Sequence, residues 1–285
     1  CAQRCLARQA RAAIGLWVAS VCCCIRPGQG LPRGLASIRT SRPSFTISWR
    51  AGKRGRAMMI LGLTGSIGMG KSTATRAFAA HGAMIWDADA EVHRLMAEGG
   101  AAVAEVGAVF PPALIERASG GAYIDRKVLG KSIFQDGAAL SRLEAILHPL
   151  VRHGERRFLS IAEGQRCRLA VLDIPLLFET GGAARCDATA VVTAPAFVQR
   201  ARVMRRANMT ASKFDAIVAR QMPDWEKRRR ADFIIQTGQD KRESLRAVGE
   251  IARILATRRG DHWPRCWPAG SDRLLSGRLL GVSDA

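Results

Sequence analysis

Gly65, Gly70, Lys71 and Ser72 stand at the spacing G-x-x-x-x-G-K-S within GLTGSIGMGKST (residues 62–73). Glycines at these positions let the backbone curl so that successive N–H groups point inward at phosphate oxygens. The reading gives Gly68, Met69, Gly70, Lys71, Ser72 and Thr73 to a nucleoside triphosphate. Lys71 reaches the β- and γ-phosphates, the Ser72 hydroxyl ligates Mg²⁺, and Thr73 bonds the α-phosphate. A helix opening at Lys71 adds its positive dipole end. The DxxG and NKxD patterns of switch GTPases are absent from the sequence. Phosphoryl transfer to a small acceptor is the chemistry that remains.

A second set of residues has the types that such a transfer needs. Asp87 and Asp89 are two apart in WDADAEVH (residues 86–93), so on an extended chain they point the same way. A carboxylate there can take the proton of an acceptor hydroxyl or hold hydrated Mg²⁺, and either residue can instead cap a helix. LDIPLLFE (residues 172–179) has the form of a Walker B strand, with Asp173 as the metal carboxylate. Glu179, polar at the end of an apolar run, is expected to face the substrate or to cap a helix. Arg202 and Arg206 are four apart, so on a helix they share a face. Arg202 is assigned to charge neutralisation at the transferring phosphoryl group and Arg206 to the substrate.

Five short apolar runs must position these residues: Met59 to Thr64, Ala83 to Asp87, Leu169 to Ile174, Ala188 to Ala194 and Ala231 to Thr237. Strand, glycine loop, helix (Lys71 to Gly82) and strand make a βαβ unit, which predicts a right-handed crossover and a parallel sheet. Helical patterns fill Ala88 to Glu163, broken near Phe110-Pro111-Pro112 and Ser119-Gly120-Gly121. A charged helical stretch covers Ala196 to Arg230, and a final helix covers about Lys241 to Arg258.

The chain has 285 residues and a formal net charge of +20, unevenly placed. Residues 1–57 carry 11 basic side chains and no acidic one, whereas residues 58–260 keep a net of +9. That remainder suits a protein handling small polyanions. Sparse aromatics and the lack of a nucleic-acid motif argue against nucleic acid as the partner. The leader reads as non-native upstream sequence or as disordered, because Met58 and Met59 directly precede the first strand. Its arginine-rich, acid-free composition is also that of a transit peptide, and its one apolar run is too short to span a bilayer. Residues 261–285 are expected to be disordered. Only Cys167 and Cys186 lie between the flanks, at no metal-ligand spacing, which argues for a reducing compartment.

Taken in series, several runs resemble the dephospho-CoA kinases: LTGSIGMGKST, DADAEVHRL, HPLVR (residues 148–152), LDIPLLFE, CDATAVV, QRARVMRR with MTASKFDAIVARQ, and RRADFIIQTG. The resemblance covers about Met58 to Arg259. It implies a P-loop NTPase α/β fold of three layers around a five-stranded parallel sheet. The core is expected at 58–87, 168–195 and 231–259, a helical CoA-binding insertion at about 88–167, and a helical lid at about 196–230. The implied reaction moves the γ-phosphate of ATP to the ribose 3′-hydroxyl of dephospho-CoA, with Mg²⁺, in the cytoplasm, away from membranes and nucleic acid, by a monomer or weak homo-oligomer. Asp89 is the implied base, with Asp87 in support. Thr64 is implied to contact the acceptor or phosphate, and His148 and Arg152 to lie near the phosphate-bearing end of the acceptor. Ser66 and Met69 depart from the Gly and Ser common in the family, with Met69 expected to point away from the cradle. Gln236-Thr237-Gly238 departs from the family's Asn before Gly on the adenine side. A kinase of another hydroxylated small molecule, or a nucleic-acid-associated P-loop protein that acts through its basic leader, are the competing readings.

Overall fold

Strand β1 (Met59–Thr64) is buried along its whole length, as an apolar strand at the centre of a parallel sheet must be. The computed structural model describes residues 57–264 apart from 119, 135 and 208. The leader through residue 56 and the end of the tail therefore lie outside the described residues. The main sheet runs β2-β5-β1-β6-β7, with β2 Met84–Asp87, β5 Leu169–Asp173, β6 Ala188–Thr193 and β7 Phe233–Gln236, and every pairing is parallel.

Alternation along the strands builds a core on each face. Met59, Leu61, Leu63, Leu169 and Val171 join one cluster with Phe78 of α1 (Lys71–Ala80) and Val248 and Leu255 of α9 (Lys241–Ala256). Ile60, Ala170 and Leu172 point the other way, against Leu159 and Ala162 of α5 (Gly137–Gly164).

Residues between β2 and β5 form α2 (Ala88–Met96), α3 (Val103–Val109), α4 (Arg126–Phe134) and α5 around a hydrophobic cluster of their own, including Val92, Leu95, Val106, Leu143 and Leu147. The sequence pattern led us to expect helices alone here. A small antiparallel hairpin, β3 (Leu114–Glu116) with β4 (Ala122–Ile124), lies instead at the two predicted breaks. Its strands are only three residues each, too short to show a period, and Gly120 turns the chain at φ 84°. Helix α5 runs 28 residues with Pro149 inside it, so its early turns pack in the insertion and its late turns on the sheet. The stretch 196–230 is three short helices, α6 (Ala196–Met204), α7 (Ala211–Ala219) and α8 (Asp224–Arg230).

The tail, expected to be disordered from residue 261, is packed at its start. Asp187 Oδ1 accepts from the N–H groups of Asp261 (2.6 Å) and His262 (3.0 Å) and lies 2.8 Å from His262 Nδ1, while Trp263 is buried against the α5 face of the sheet.

Candidate active site

The phosphate loop leaves the carboxyl end of β1 and closes onto α1, where parallel sheets of this kind bind ligands. Gly68 (φ 78°) and Gly70 (φ 91°) adopt the left-handed conformation that glycine supplies without strain. Gly70 is the N-cap of α1 and has no side chain to compete for the first-turn N–H groups, of which that of Thr73 turns back to the Gly70 carbonyl at 3.0 Å. Ser72 is exposed and Thr73 half-buried on that turn. Met69 points away from the cradle, into the core. It is 3% exposed, and its sulfur accepts from the Ala194 N–H at 3.1 Å. An apolar side chain beside the core is drawn inward, leaving only its backbone at the cradle.

Lys71 Nζ lies 2.6 Å from Asp173 Oδ1, and the Thr75 hydroxyl donates to Asp173 Oδ2 at 3.0 Å. Asp173 ends β5 in register with Leu63 of β1 and with Asp87 of β2. Strand β2 stops at Asp87, so the expected extended Asp87–Asp89 pair is not formed. Asp87 instead caps α2, its Oδ1 accepting from the N–H groups of Asp89 (2.8 Å) and Ala90 (3.1 Å). Asp89 sits on the first helical turn, with Oδ1 buried and without a hydrogen bond. Burial pushes its carboxyl pKa up to about 7; the Lys71 ammonium opposes this, and the Asp87 and Asp173 carboxylates add to it. Among the described residues, this is a carboxylate balanced near neutrality beside the lysine of a phosphate loop.

On α5, His148, Arg152 and Glu155 fall at i, i+4 and i+7, one helix face. That face and the end of β2 line a cleft of about 40 Å³, with Trp86, Ala88 and Ile174 among its walls. Arg185, from the 3-10 turn after β5, reaches Glu155 Oε2 at 3.5 Å. Burial, with Arg152 and Arg185 nearby, lowers the His148 pKa and keeps the ring neutral at pH 7.

The helices α6 to α8 grip the loop. Ile67 donates its N–H to Gln221 (3.2 Å) and accepts from Gln199 Nε2 at its carbonyl (2.9 Å). Arg202 donates to the Thr237 hydroxyl (3.1 Å), the Thr237 carbonyl and the Gly68 carbonyl (3.5 Å), which holds its guanidinium against the loop. Arg206 does not share its helix face. Helix α6 ends at Met204, and Arg206 is an exposed residue of the turn beyond.

Two further expectations change. Thr64 is fully buried, and its hydroxyl donates to the Pro175 carbonyl at 2.9 Å, so it secures the base of the loop instead of facing a ligand. Glu179 does not cap a helix. Its Oε1 pairs with Lys227 at 2.9 Å and accepts the Met222 N–H at 3.0 Å. Gln199, Gln221, Lys227, Glu155 and Arg185 were not foreseen. The i+7 spacing from His148 pointed to Glu155, whereas Lys227, inside the basic run EKRRR, has nothing to mark it as buried.

The family model for dephospho-CoA kinase matches residues 59–243. A dephospho-CoA kinase of Paramagnetospirillum magneticum is 58% identical over 171 residues, 60% of this chain and 78% of that protein. One from Rhodopseudomonas palustris is 47% identical over 205 residues, 71% of this chain and 100% of its own length. Among solved structures, TT1252 from Thermus thermophilus is 33% identical with a TM-score of 0.61, covering 72% of this chain and 100% of that one.

Proposed function

The chain belongs to the dephospho-CoA kinase family, and from that premise we propose how its own side chains perform the transfer. The enzyme carries out the final ATP-dependent step of coenzyme A biosynthesis, moving the γ-phosphoryl group of ATP to the 3′-hydroxyl of dephospho-CoA.

Asp89 is the general base. It takes the 3′-hydroxyl proton as that oxygen bonds to the γ-phosphorus and the bond from phosphorus to the β-bridging oxygen breaks, releasing ADP. The observation that carries this is a buried carboxylate oxygen without a hydrogen bond, on a group whose pKa lies near 7, close enough to Lys71 to feel its charge. Residues 68–73 cradle the phosphates, with the backbone N–H groups of Gly68, Gly70, Lys71 and Ser72 as donors, since those of Met69 and Thr73 donate to the Ser66 and Gly70 carbonyls. Lys71 and Arg202 spread the negative charge that builds on the transferring group. Asp87 fixes the helix that aims Asp89. His148 and Arg152 meet the acceptor.

The donor set fits Mg²⁺: hard oxygens from the Ser72 hydroxyl and the Asp173 carboxylate, the latter near Asp87 and Asp89. Held by these oxygens, Mg²⁺ would supply positive charge against the triphosphate. Residues 58–87, 168–195 and 231–259 make the core, 88–167 the acceptor-binding insertion and 196–230 the lid, a division supported by the insertion's separate hydrophobic cluster. Closure of the lid excludes water that would otherwise accept the phosphoryl group. We place the enzyme in the cytoplasm as a monomer or weak homo-oligomer; its free Cys167 and Cys186 suit a reducing compartment. Among the described residues no helix is long and apolar enough to cross a membrane.

ADP release in the presence of dephospho-CoA, AMP or adenosine tests the acceptor. Turnover confined to dephospho-CoA is expected. Equal turnover on AMP or adenosine with none on dephospho-CoA would make this a kinase of another small molecule.

A further inference from the structure

The phosphate loop lies directly on α6. A Cβ placed on Gly68 would come within 2.4 Å of Val203 Cγ2 and 3.1 Å of the Gln199 carbonyl oxygen. Gln199, Arg202 and Val203 stand at i, i+3 and i+4 and so share one face of that helix. Gln199 is 6% exposed, and its carboxamide is turned to the loop.

A trans peptide is planar, with its C=O and N–H pointing in opposite directions, so fixing one group aims the other. Between Ser66 and Ile67, the Ile67 N–H donates to Gln221 Oε1 at 3.2 Å and the Ser66 carbonyl accepts the Met69 N–H at 3.2 Å. Between Gly68 and Met69, that same Met69 N–H is the donor, and the Gly68 carbonyl accepts from Arg202 at 3.5 Å. In the peptide between them, the Ile67 carbonyl accepts from Gln199 Nε2 at 2.9 Å, which turns the Gly68 N–H away from the Gln199 carboxamide. Among the described residues, that N–H has no partner, whereas every other polar group of the three peptides has one. Gly68, at φ 78°, tolerates either sign of φ, so sterics alone do not hold this peptide in one orientation.

We propose that Gln199 and Gln221 are positioning residues for ATP. Gln199 aims the Gly68 N–H at a phosphate oxygen, and Gln221 locks the preceding peptide so that the Ile67 N–H is withheld from it. A carboxamide suits both tasks, because Gln199 must donate to a carbonyl and Gln221 must accept from an N–H. Neither side chain touches the reacting atoms. The proposal rests on the reading of this loop as the ATP site. Calorimetric binding of a nonhydrolysable ATP analogue to the unmodified protein tests that reading by itself, and failure to bind would refute it and the proposal together.

With that binding established, the variants test the positioning alone. Gln199→Met removes the donor and keeps the length. It is expected to raise the KM for ATP about tenfold, the weight of one hydrogen bond to a charged group, and to change kcat and the KM for dephospho-CoA less than about twofold. Two carboxylate variants separate geometry from charge. Gln221→Glu still accepts the Ile67 N–H, whereas Gln199→Glu sets an acceptor against the Ile67 carbonyl. Gln199→Glu should therefore raise the KM for ATP roughly fivefold more than Gln221→Glu does. Equal losses in the two, or an unchanged KM for ATP in Gln199→Met, overturns the proposal. A third readout needs no variant. In nitrogen-15-labelled protein, ADP should shift the Gly68 amide resonance and slow its exchange with solvent, and leave the Ile67 amide nearly unmoved. An equal response at both amides overturns the proposal as well.

Discussion

Lys227 and Glu179 form an ion pair at 2.9 Å with the ammonium fully out of solvent, joining α8 to the segment after β5. The same ammonium lies 3.5 Å from the Pro175 carbonyl, which also receives the Thr64 hydroxyl. One buried contact thus ties α8 to the strand end from which the phosphate loop springs.

Removing one partner of that pair strands a buried charge. Lys227→Met is expected to destabilise the protein by about 3–5 kcal/mol, whereas Lys227→Met combined with Glu179→Gln recovers much of the loss. Urea unfolding of the single and double variants measures the difference. Equal destabilisation by the double variant would show that the pair stabilises the fold on its own account.

Asp173 holds Lys71 at 2.6 Å and is a candidate oxygen for Mg²⁺. Asp173→Asn is expected to lower kcat by about 10–100-fold, the range for groups that orient a catalytic residue or metal. Lys71→Ala should impair both ATP binding and turnover, because the ammonium itself meets the phosphates. Steady-state kinetics with ATP varied separates the two.

The raised pKa of Asp89 has two consequences with opposite benefit. As a base it must be ionised, so kcat/KM should climb as pH rises through about 7 and level off above. For stability the sign reverses. Raised from 3.8 to about 7, the carboxyl contributes its full stability below pH 3.8 and loses it as pH rises through 7. Asp89→Asn is neutral at every pH, so its Tm at pH 8 should exceed that of the unmodified protein, by about 2–4 °C for each kcal/mol recovered. The gap should close toward pH 5. Thermal melts at the two pH values measure it.

Trp263 is buried against the sheet, and the residues before it bind Asp187. Trp263→Ala is expected to cost about 3–5 kcal/mol, the usual range for a large core aromatic. A melt indistinguishable from the unmodified protein would mean that the start of the tail adds nothing to the fold.

The sheet was legible because its strands are continuous apolar runs bounded by glycine, proline or charge, and β1 and β5 fall within a residue of their predicted limits. The phosphate loop was legible because local spacing alone builds it. Contacts between distant segments were not. Asp89 was picked out, but its place on a helix turn depends on where β2 stops. Lys227 looks like its solvated neighbours Arg228 to Arg230 until α8 packs over Pro175. Gln199 and Gln221 gain meaning only when the chain returns more than 130 residues later to bracket Ile67.

The most direct measurement of the central claim, that Asp89 is the base for transfer to dephospho-CoA, is the turnover of Asp89→Asn set against its ATP affinity. The account predicts a fall in kcat of about 10²–10⁴, the range for general base catalysis, with ATP binding nearly unchanged. Near-normal turnover, or a loss traced wholly to ATP binding, would contradict it.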